Sequence, residues 1–277
     1  MTLTEPTTPV VDRPEFEAAW YAWRAQNEER RRDAYGFLSY AAVYKLGETA
    51  QRFAEVPGAW SVSDEGVVVE LSDEERLTVD EDPVHGRFVF APVAEREFRR
   101  DARFDEVVVE LSKRGGITLL RPIDPAHGLR ESYVETPAFA PDPRWIVRGE
   151  YVPFEAPRDT AIDAAIDGIT HQHDALGEVV FDLDGTTNRL LFLAGGAAGG
   201  GAFAVFTDGT SGVSTYRASR RIAAELPAEG GPIELDFNRT GNLQCAYTNY
   251  SPCPLAPAQN RLVVAIEAGE KTPVFAD

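Results

Sequence analysis

The 277-residue chain has few cysteines, histidines and methionines, and it has no excess of basic residues. Its 27 basic and 45 acidic side chains give a net charge of −18, so it offers no overall positive field to nucleic acid or anionic lipid. Two cysteines are too few for a disulfide scaffold. No apolar run approaches the roughly 18 residues that span a bilayer, and residues 1–13 lack the apolar stretch of a secretory signal. We therefore expect a soluble cytoplasmic protein that binds neither nucleic acid nor membranes.

The basic residues are mostly arginines. Only three of the 27 are lysines, at positions 45, 113 and 271, and the rest are arginines. An arginine fork binds carboxylate or phosphate better than a lysine does, so a local anion site remains possible on this acidic chain. At 43% apolar residues the chain can also bury a proper core.

One helix is predicted near the N terminus. Asp12 is a suitable N-cap, Pro14 suits the first turn, and Glu15 completes a capping box. The apolar residues of this stretch recur at helical spacing, at Phe16, Ala19, Trp20 and Trp23. Residues 1–11, rich in Thr and Pro, are expected to fray.

From Val56 onward the pattern changes to short alternating strands. Glycine-containing turns at 113–116 and 184–188 predict two hairpins. The prediction is a mainly β fold with antiparallel sandwich-like or barrel-like regions, an N-terminal amphipathic helix, and one short C-terminal-half helix around 219–226. We divide the chain into an N-terminal tail and helical segment (1–55), a first β region (56–140) and a C-terminal β domain (145–277).

Several motifs do not support a cofactor or a metal. The glycine run 194–201 lacks the lysine and following helix of a phosphate loop, and residues 202–206 alternate like a strand. His171 and His173 lie on one face of any strand, with Asp174 as a conceivable third ligand, but chance explains such a pair better. We expect no resident metal and no cofactor.

The two cysteines also lack a zinc pattern. Cys245 and Cys253 are separated by seven residues, which is longer than zinc-ligand spacing, and no second pair exists. Buried structural thiols are the preferred interpretation, and a disulfide remains open only if the protein meets an oxidant.

Two polar stretches, 207–220 and 236–261, are the places where a site is expected, because long irregular segments inside compact domains are often functional. The candidate residues are Asp208, Ser211, Tyr216, Arg220, Asp236, Asn238, Cys245, Tyr247 and Asn260. We expect Arg220 to hold an anionic group of a small metabolite. If chemistry occurs, Asp208 or Asp236 is the candidate base and Tyr216 the candidate donor.

Charge supports this choice of region. Between residues 207 and 261 the arginines are Arg217, Arg220, Arg221, Arg239 and Arg261, and the acids are Asp208, Glu225, Glu229, Glu234 and Asp236. The two sets cancel, so the segment is far less acidic than the chain as a whole.

The same stretches carry a family resemblance. The blocks that carry it, in order, are 206–220 (FTDGTSGVSTYRASR), 236–239 (DFNR), 245–255 (CAYTNYSPCPL), 260–262 (NRL) and 265–271 (AIEAGEK). Together they resemble the uncharacterised bacterial domain-of-unknown-function family 1684 over about residues 145–271. The resemblance implies where a site lies, but it implies no activity, cofactor or catalytic residue.

Other functions stay open at this point. The candidate residues could form a structural plug, in which Asn and Asp cap loop backbone and Asp236 pairs with an arginine. The chain could also be a non-catalytic interaction module, docking through residues 60–135 and the Trp20–Trp23 helix. A flavin-binding split barrel rests on fold analogy alone. The oligomeric state does not follow from the sequence.

Overall fold

The structure is a computed structural model that describes residues 12–195 and 201–276. Helix α1 (Arg13–Arg31) begins as predicted, because the Asp12 carboxylate accepts a hydrogen bond from the Glu15 backbone N–H at 3.2 Å. Trp20 is buried, and its indole Nε1–H donates to the carbonyl of Asn238 at 2.9 Å. The helix is thereby fastened to the C-terminal part of the chain. The frayed tail predicted for residues 1–11 lies outside the described residues.

The first β region contains two antiparallel sheets. Its strands are β1 (Tyr44–Lys45), β2 (Gln51–Phe53), β3 (Val56–Ser63), β4 (Gly66–Glu70), β5 (Leu77–Val79), β6 (Asp82–Val84), β7 (Arg87–Phe90), β8 (Phe98–Phe104), β9 (Val107–Arg114) and β10 (Ile117–Ile123). One sheet has the order β1-β10-β9-β8-β5-β6 and the other β2-β3-β4-β7. Trp60 and Phe90 of the smaller sheet share a core with Leu111 and Leu120 of the larger one, as in a sandwich.

The C-terminal part contains a larger antiparallel sheet. A short helix α2 (Gly128–Ser132) leads to β11 (Tyr133–Glu135), β12 (Ile146–Asp163), β13 (Thr170–Leu183), β14 (Thr186–Ala194), β15 (Ala202–Phe206), β16 (Arg220–Ala224), β17 (Gly231–Asp236), β18 (Gly241–Asn242) and β19 (Val274–Phe275). Seven of these form one sheet in the order β17-β12-β13-β14-β15-β16-β18, and β11 pairs with β19. The edge strand β17 also contacts β16 near the other edge, so the sheet curls into a half-barrel. Its main core includes Val179, Phe192, Phe206, Leu235 and Phe237.

Both predicted hairpins are confirmed. The turns at Gly115–Gly116 and Asp184–Gly185 adopt positive φ, joining β9 to β10 and β13 to β14. The long strand β12 contains a bulge between Pro153 and Arg158.

The short helix predicted around 219–226 is wrong, because this segment is strand β16. Arg220 and Ile222 point inward at period two, and the strand pairs with β15. Tertiary pairing overrides the local helix preference of the alanines here. The C-terminal half has short 3-10 helices elsewhere, at Phe237–Arg239, Gln244–Ala246 and Ala258–Asn260.

The predicted fold class is confirmed: the protein is mainly β, with antiparallel sheets and an N-terminal helix. Within the described ranges, no helix has both the length and the apolar character needed to cross a membrane. The strand predicted at 202–206 is β15, while residues 196–200 of the glycine run lie outside the description.

The two β regions contact each other beside the irregular C-terminal segment. Leu119 of β10 packs with Ala164 and Ile169 from the connection between β12 and β13. Arg121 of β10 also donates to the carbonyl of Tyr250 at 3.4 Å. These contacts place the connection 164–169 and the segment 240–261 next to one another, where a cleft opens.

Candidate functional site

A cleft of about 890 Å³ lies between the two stretches selected from the sequence. One wall comes from the turn after β15, and the opposite wall comes from the irregular segment 245–261 together with the connection 164–167. The polar residues that line it are Asp167, Thr207, Asp208, Ser211, Tyr216, Arg217, Thr248, Asn249, Ser251 and Arg261, with Cys245 beside them. A cleft of this size is in the usual range for small-molecule sites.

Four of the predicted residues line this cleft: Asp208, Ser211, Tyr216 and Cys245. The Tyr216 hydroxyl donates to the Cys245 carbonyl at 2.7 Å, which joins the two walls. Burial raises the pKa of Tyr216, so its hydroxyl stays protonated and keeps its hydrogen bond to the Cys245 carbonyl.

Asp208 lies in the cleft wall, but its carboxylate is wholly buried. One oxygen accepts from the Thr210 backbone N–H and hydroxyl, each at 2.6 Å. The other accepts from Arg220 Nη1 at 2.5 Å. Arg220 is 0% exposed, and its fork also donates to the carbonyls of Ile266 and Ala268. This pair forms the floor behind the cleft, and Arg220 does not reach the space in front of it.

Asp236 and Asn238 lie outside the cleft and fasten two other segments. The Asp236 carboxylate caps the short helix 237–239 by accepting from the Asn238 backbone N–H at 3.0 Å, and burial raises its pKa. The Asn238 side chain accepts from the Asp142 N–H at 2.9 Å and donates to the Asp142 carbonyl at 3.0 Å. The backbone carbonyl of Asn238 also accepts the hydrogen bond from Trp20. Asn238 therefore joins helix α1 and the loop that contains Asp142 to the half-barrel.

Asn260 fills a gap between two strands. Strands β14 and β15 are paired only at their near ends, so Leu191 and Val205 have no direct partners across the ladder. The Asn260 side chain accepts from Leu191 N–H at 2.7 Å and donates to the carbonyls of Leu191 and Val205 at 3.0 and 2.9 Å. Its amide therefore replaces the missing backbone partners and anchors the segment 258–262.

Tyr247 belongs to a neighbouring aromatic cluster under α1. Its hydroxyl shares a hydrogen bond with the Thr136 hydroxyl at 3.0 Å, and the Arg31 guanidinium lies 5.4 Å from its ring centre. Arg31 also pairs with the buried Glu270. Burial raises the pKa of Tyr247. The residue borders the cleft region without facing the space enclosed by Ser211 and Tyr216.

Two residues that the sequence reasoning passed over are the exposed cations of the cleft. Arg217 and Arg261 both line it and are solvent-exposed. Neither forms an ion pair with any residue of the described ranges. Asp167 is the one exposed carboxylate among the lining residues described. Arg217 is exposed, whereas Arg220, three positions further along the chain, is buried. The sequence alone did not show this difference.

The two histidines are buried on β13 and face each other at 5.7 Å between ring centres. The His171 ring bonds the Pro252 carbonyl at 2.5 Å, while neither ring nitrogen of His173 has a partner among the described residues. Burial lowers the pKa of His173 to about 4. Across residues 12–195 and 201–276, no group of three or more metal-ligating side chains comes together.

Comparison with known proteins places the chain in a family. None of the curated proteins matches it. An uncharacterised protein from Haloarcula marismortui, solved by solution NMR, is 31% identical with a TM-score of 0.43; the match covers 52% of this chain and 79% of that one. The family described as "Protein of unknown function (DUF1684)" matches residues 131–271, about half of the chain. The resemblance drawn from the sequence blocks is confirmed, and the chain belongs to this family.

Proposed function

We propose that the cleft between residues 207–220 and 236–261 binds a small molecule that carries an anionic group. The observation that carries the proposal is the pair of exposed arginines, Arg217 and Arg261, lining one cleft without a protein carboxylate bound to either. An arginine fork is well matched to carboxylate or phosphate. Burial in a cleft strengthens such contacts compared with open surface.

The candidate residues then divide by role. Ser211, Tyr216 and Cys245 border the ligand space directly. The other residues proposed from the sequence as ligand-binding have their polar atoms in hydrogen bonds within the fold. Arg220 and Asn260 hold segments next to the cleft, and Asn238 and Tyr247 hold segments outside it. The anion-holding role that we expected of Arg220 passes to Arg217 and Arg261.

Among the three candidates for chemistry, Tyr216 has the best position. Its hydroxyl lies in the cleft wall, where the oxygen can accept from a bound group while the proton is donated to the Cys245 carbonyl. The oxygens of Asp208 are already occupied by Thr210 and Arg220, and Asp236 lies outside the cleft. A binding or sensory role needs no base, whereas an enzymatic role that used Tyr216 as the acid would first have to release its hydrogen bond to the Cys245 carbonyl.

A specific observation favours a second candidate, a structural or protein-interaction module. A structural plug requires polar side chains that hydrogen-bond within the protein, and this is true of Arg220, Asn238 and Asn260. In that case the cleft is a by-product of an irregular segment, and no small anion binds there.

Thermal shift measurements with inorganic phosphate, succinate and adenosine monophosphate distinguish the two candidates. A ligand that binds only the native state raises the melting temperature in a concentration-dependent way. We expect at least one of these anions to do so, and Arg217→Gln and Arg261→Gln each to weaken its binding by about tenfold or more, since a hydrogen bond to a charged group contributes about 1.5–3 kcal/mol.

The control is Arg189→Gln, which removes an exposed arginine of β14, paired with Glu178, that lies outside the cleft. It is expected to leave anion binding unchanged. If none of the three anions shifts the wild-type melting temperature, or if all three variants lose binding equally, the anion site is excluded and the structural candidate is favoured.

A further inference from the structure

Two cysteines lie together in the wall of the cleft. Cys245 lines the cleft, and its backbone N–H donates to the sulfur of Cys253 at 3.2 Å. Both cysteines are free, and each residue is 8% exposed. Although seven residues separate them in sequence, the two cysteines are therefore neighbours in the fold, as a disulfide between them requires.

The two thiols differ in their surroundings. The hydrogen bond from Cys253 lowers the pKa of the Cys245 thiol, against the opposing effect of burial. The same contact, together with burial, holds the pKa of Cys253 well above its ordinary value. The thiolate is the reactive form of cysteine, so the thiol at the cleft is the better nucleophile of the two.

The backbone favours the same division. Cys253 is held between Pro252 and Pro254, whose rings restrict the backbone on both sides. Cys245 lies in the 3-10 helix Gln244–Ala246, a single turn at the cleft edge. Cys245 lines the cleft and Cys253 does not, so a small oxidant entering the cleft meets Cys245 first.

We propose that Cys245 and Cys253 form a reversible redox pair that reacts with peroxides, with Cys245 as the attacking thiolate and Cys253 as the resolving thiol. The Cys245 sulfur attacks the peroxide oxygen; the O–O bond breaks, releasing water or an alcohol, and Cys245 becomes a sulfenic acid. The Cys253 sulfur then displaces the hydroxyl of that sulfenic acid as water, forming the disulfide. Two thiols are oxidised by two electrons, and the peroxide is reduced by the same two.

This inference does not rest on the anion site, because it needs only a cleft that admits a peroxide. Two buried thiols that serve purely as small apolar side chains are the alternative, and they predict slow, unselective oxidation.

The test begins with the unaltered protein, treated with one equivalent of hydrogen peroxide under native conditions. We expect both free thiols to be lost together, the intact mass to fall by two hydrogens, and peptide mapping to show a Cys245–Cys253 link within one chain. Dithiothreitol should restore both thiols. Retention of both thiols, addition of oxygen without loss of hydrogen, or links only between chains would overturn the proposal.

Two matched variants assign the roles. In Cys253→Ser the reaction should stop at a sulfenic acid on Cys245 that dimedone traps. In Cys245→Ser the remaining thiol should react at least several-fold more slowly, because Cys253 does not line the cleft and burial still disfavours its thiolate. Equal rates in the two variants, or trapping at Cys253 as readily as at Cys245, would show that the pair has no division of roles.

Discussion

The first β region and the C-terminal half-barrel each have a surface cleft, but the clefts differ in how their charged side chains are paired. The cleft of the first region, of about 580 Å³, contains Arg52 and Glu75, which bind each other at 2.6 and 3.3 Å. Glu75 also accepts from the backbone N–H groups of Gly58 and Ser72. These contacts lower its pKa to about 2, with the hydrogen bond from Arg52 as the largest cause.

The C-terminal cleft has the opposite arrangement. Its buried carboxylate, Asp208, is bound by Arg220 behind the wall, while Arg217 and Arg261 face the space unpaired within the described ranges. An arginine that already holds a carboxylate has little to offer a ligand. The two clefts thus differ in whether their arginines are already bound by a protein carboxylate, and the proposed anion site depends on this difference.

The largest expected effect comes from breaking the floor of the C-terminal cleft. Arg220→Ala leaves the buried Asp208 carboxylate without its counter-ion, so the free energy of unfolding should fall by about 3–5 kcal/mol. Arg217→Ala removes the same charge three positions away on an exposed side chain, and it should change stability by no more than about 0.5 kcal/mol. Urea unfolding followed by circular dichroism measures both. Similar losses of unfolding free energy in the two variants would contradict the assignment of Arg220 to the cleft floor and of Arg217 to an unpaired, exposed position.

A second difference between the regions concerns pH. In the first region the buried Glu110 is paired with Arg100 and Arg121, whereas His173 of the half-barrel is buried without a partner among the described residues. Burial lowers the pKa of His173 from 6.5 to about 4. The unfolded chain therefore binds the proton more readily than the folded one between these pH values.

The stabilising contribution of a neutral His173 is complete above about pH 6.5 and is lost as the pH falls toward 4. It should amount to about 3 kcal/mol across that window. Unfolding free energies measured from pH 7 to 4 should show this slope in the wild type, and His173→Leu should reduce it, leaving the part that comes from His171, whose pKa burial also lowers. The control is His85→Leu at an exposed position, which should retain the slope; a slope unchanged by His173→Leu would assign it to other groups.

The smallest expected effect comes from making the first cleft resemble the second. Glu75→Gln frees Arg52 from its carboxylate, so phosphate should bind weakly where it did not before. The substitution is best made on the Arg217→Gln, Arg261→Gln background, where the C-terminal cleft no longer contributes. The control, Glu65→Gln, frees Arg87 on open surface outside either cleft. A phosphate-dependent rise in melting temperature for Glu75→Gln alone supports the comparison, and an equal rise for both would refute it.

Much of the fold could be predicted because its signals are local. The capping box at Asp12 and Glu15 and the glycine turns at 115–116 and 184–185 each act within a few residues, and each formed as expected. Strand β16 could not be predicted, because its alanines favour a helix and only pairing with β15 makes it extended. Local preference is weak enough for a neighbouring strand to reverse it.

The candidate site shows the same limit at the level of side chains. The sequence stretches 207–220 and 236–261 located the cleft, and four of the residues selected from them line it. The role of each arginine could not be assigned, because Arg217 and Arg220 have the same chemistry and differ only in what surrounds them. Asn260 was predicted to bind a ligand, but its side-chain amide instead bonds backbone groups of β14 and β15 where the two strands do not pair.

By itself the sequence determined the mainly β fold class, the capped helix, the hairpins, the family, and the region in which a cleft would lie. These follow from periodicity, turn chemistry and composition, which act over short stretches of chain. Only the tertiary structure decided which cations are free, which carboxylate is buried, and that Cys245 and Cys253 meet. Those properties depend on burial and on contacts between distant segments, and both arise only when the half-barrel curls and the irregular segment packs against it.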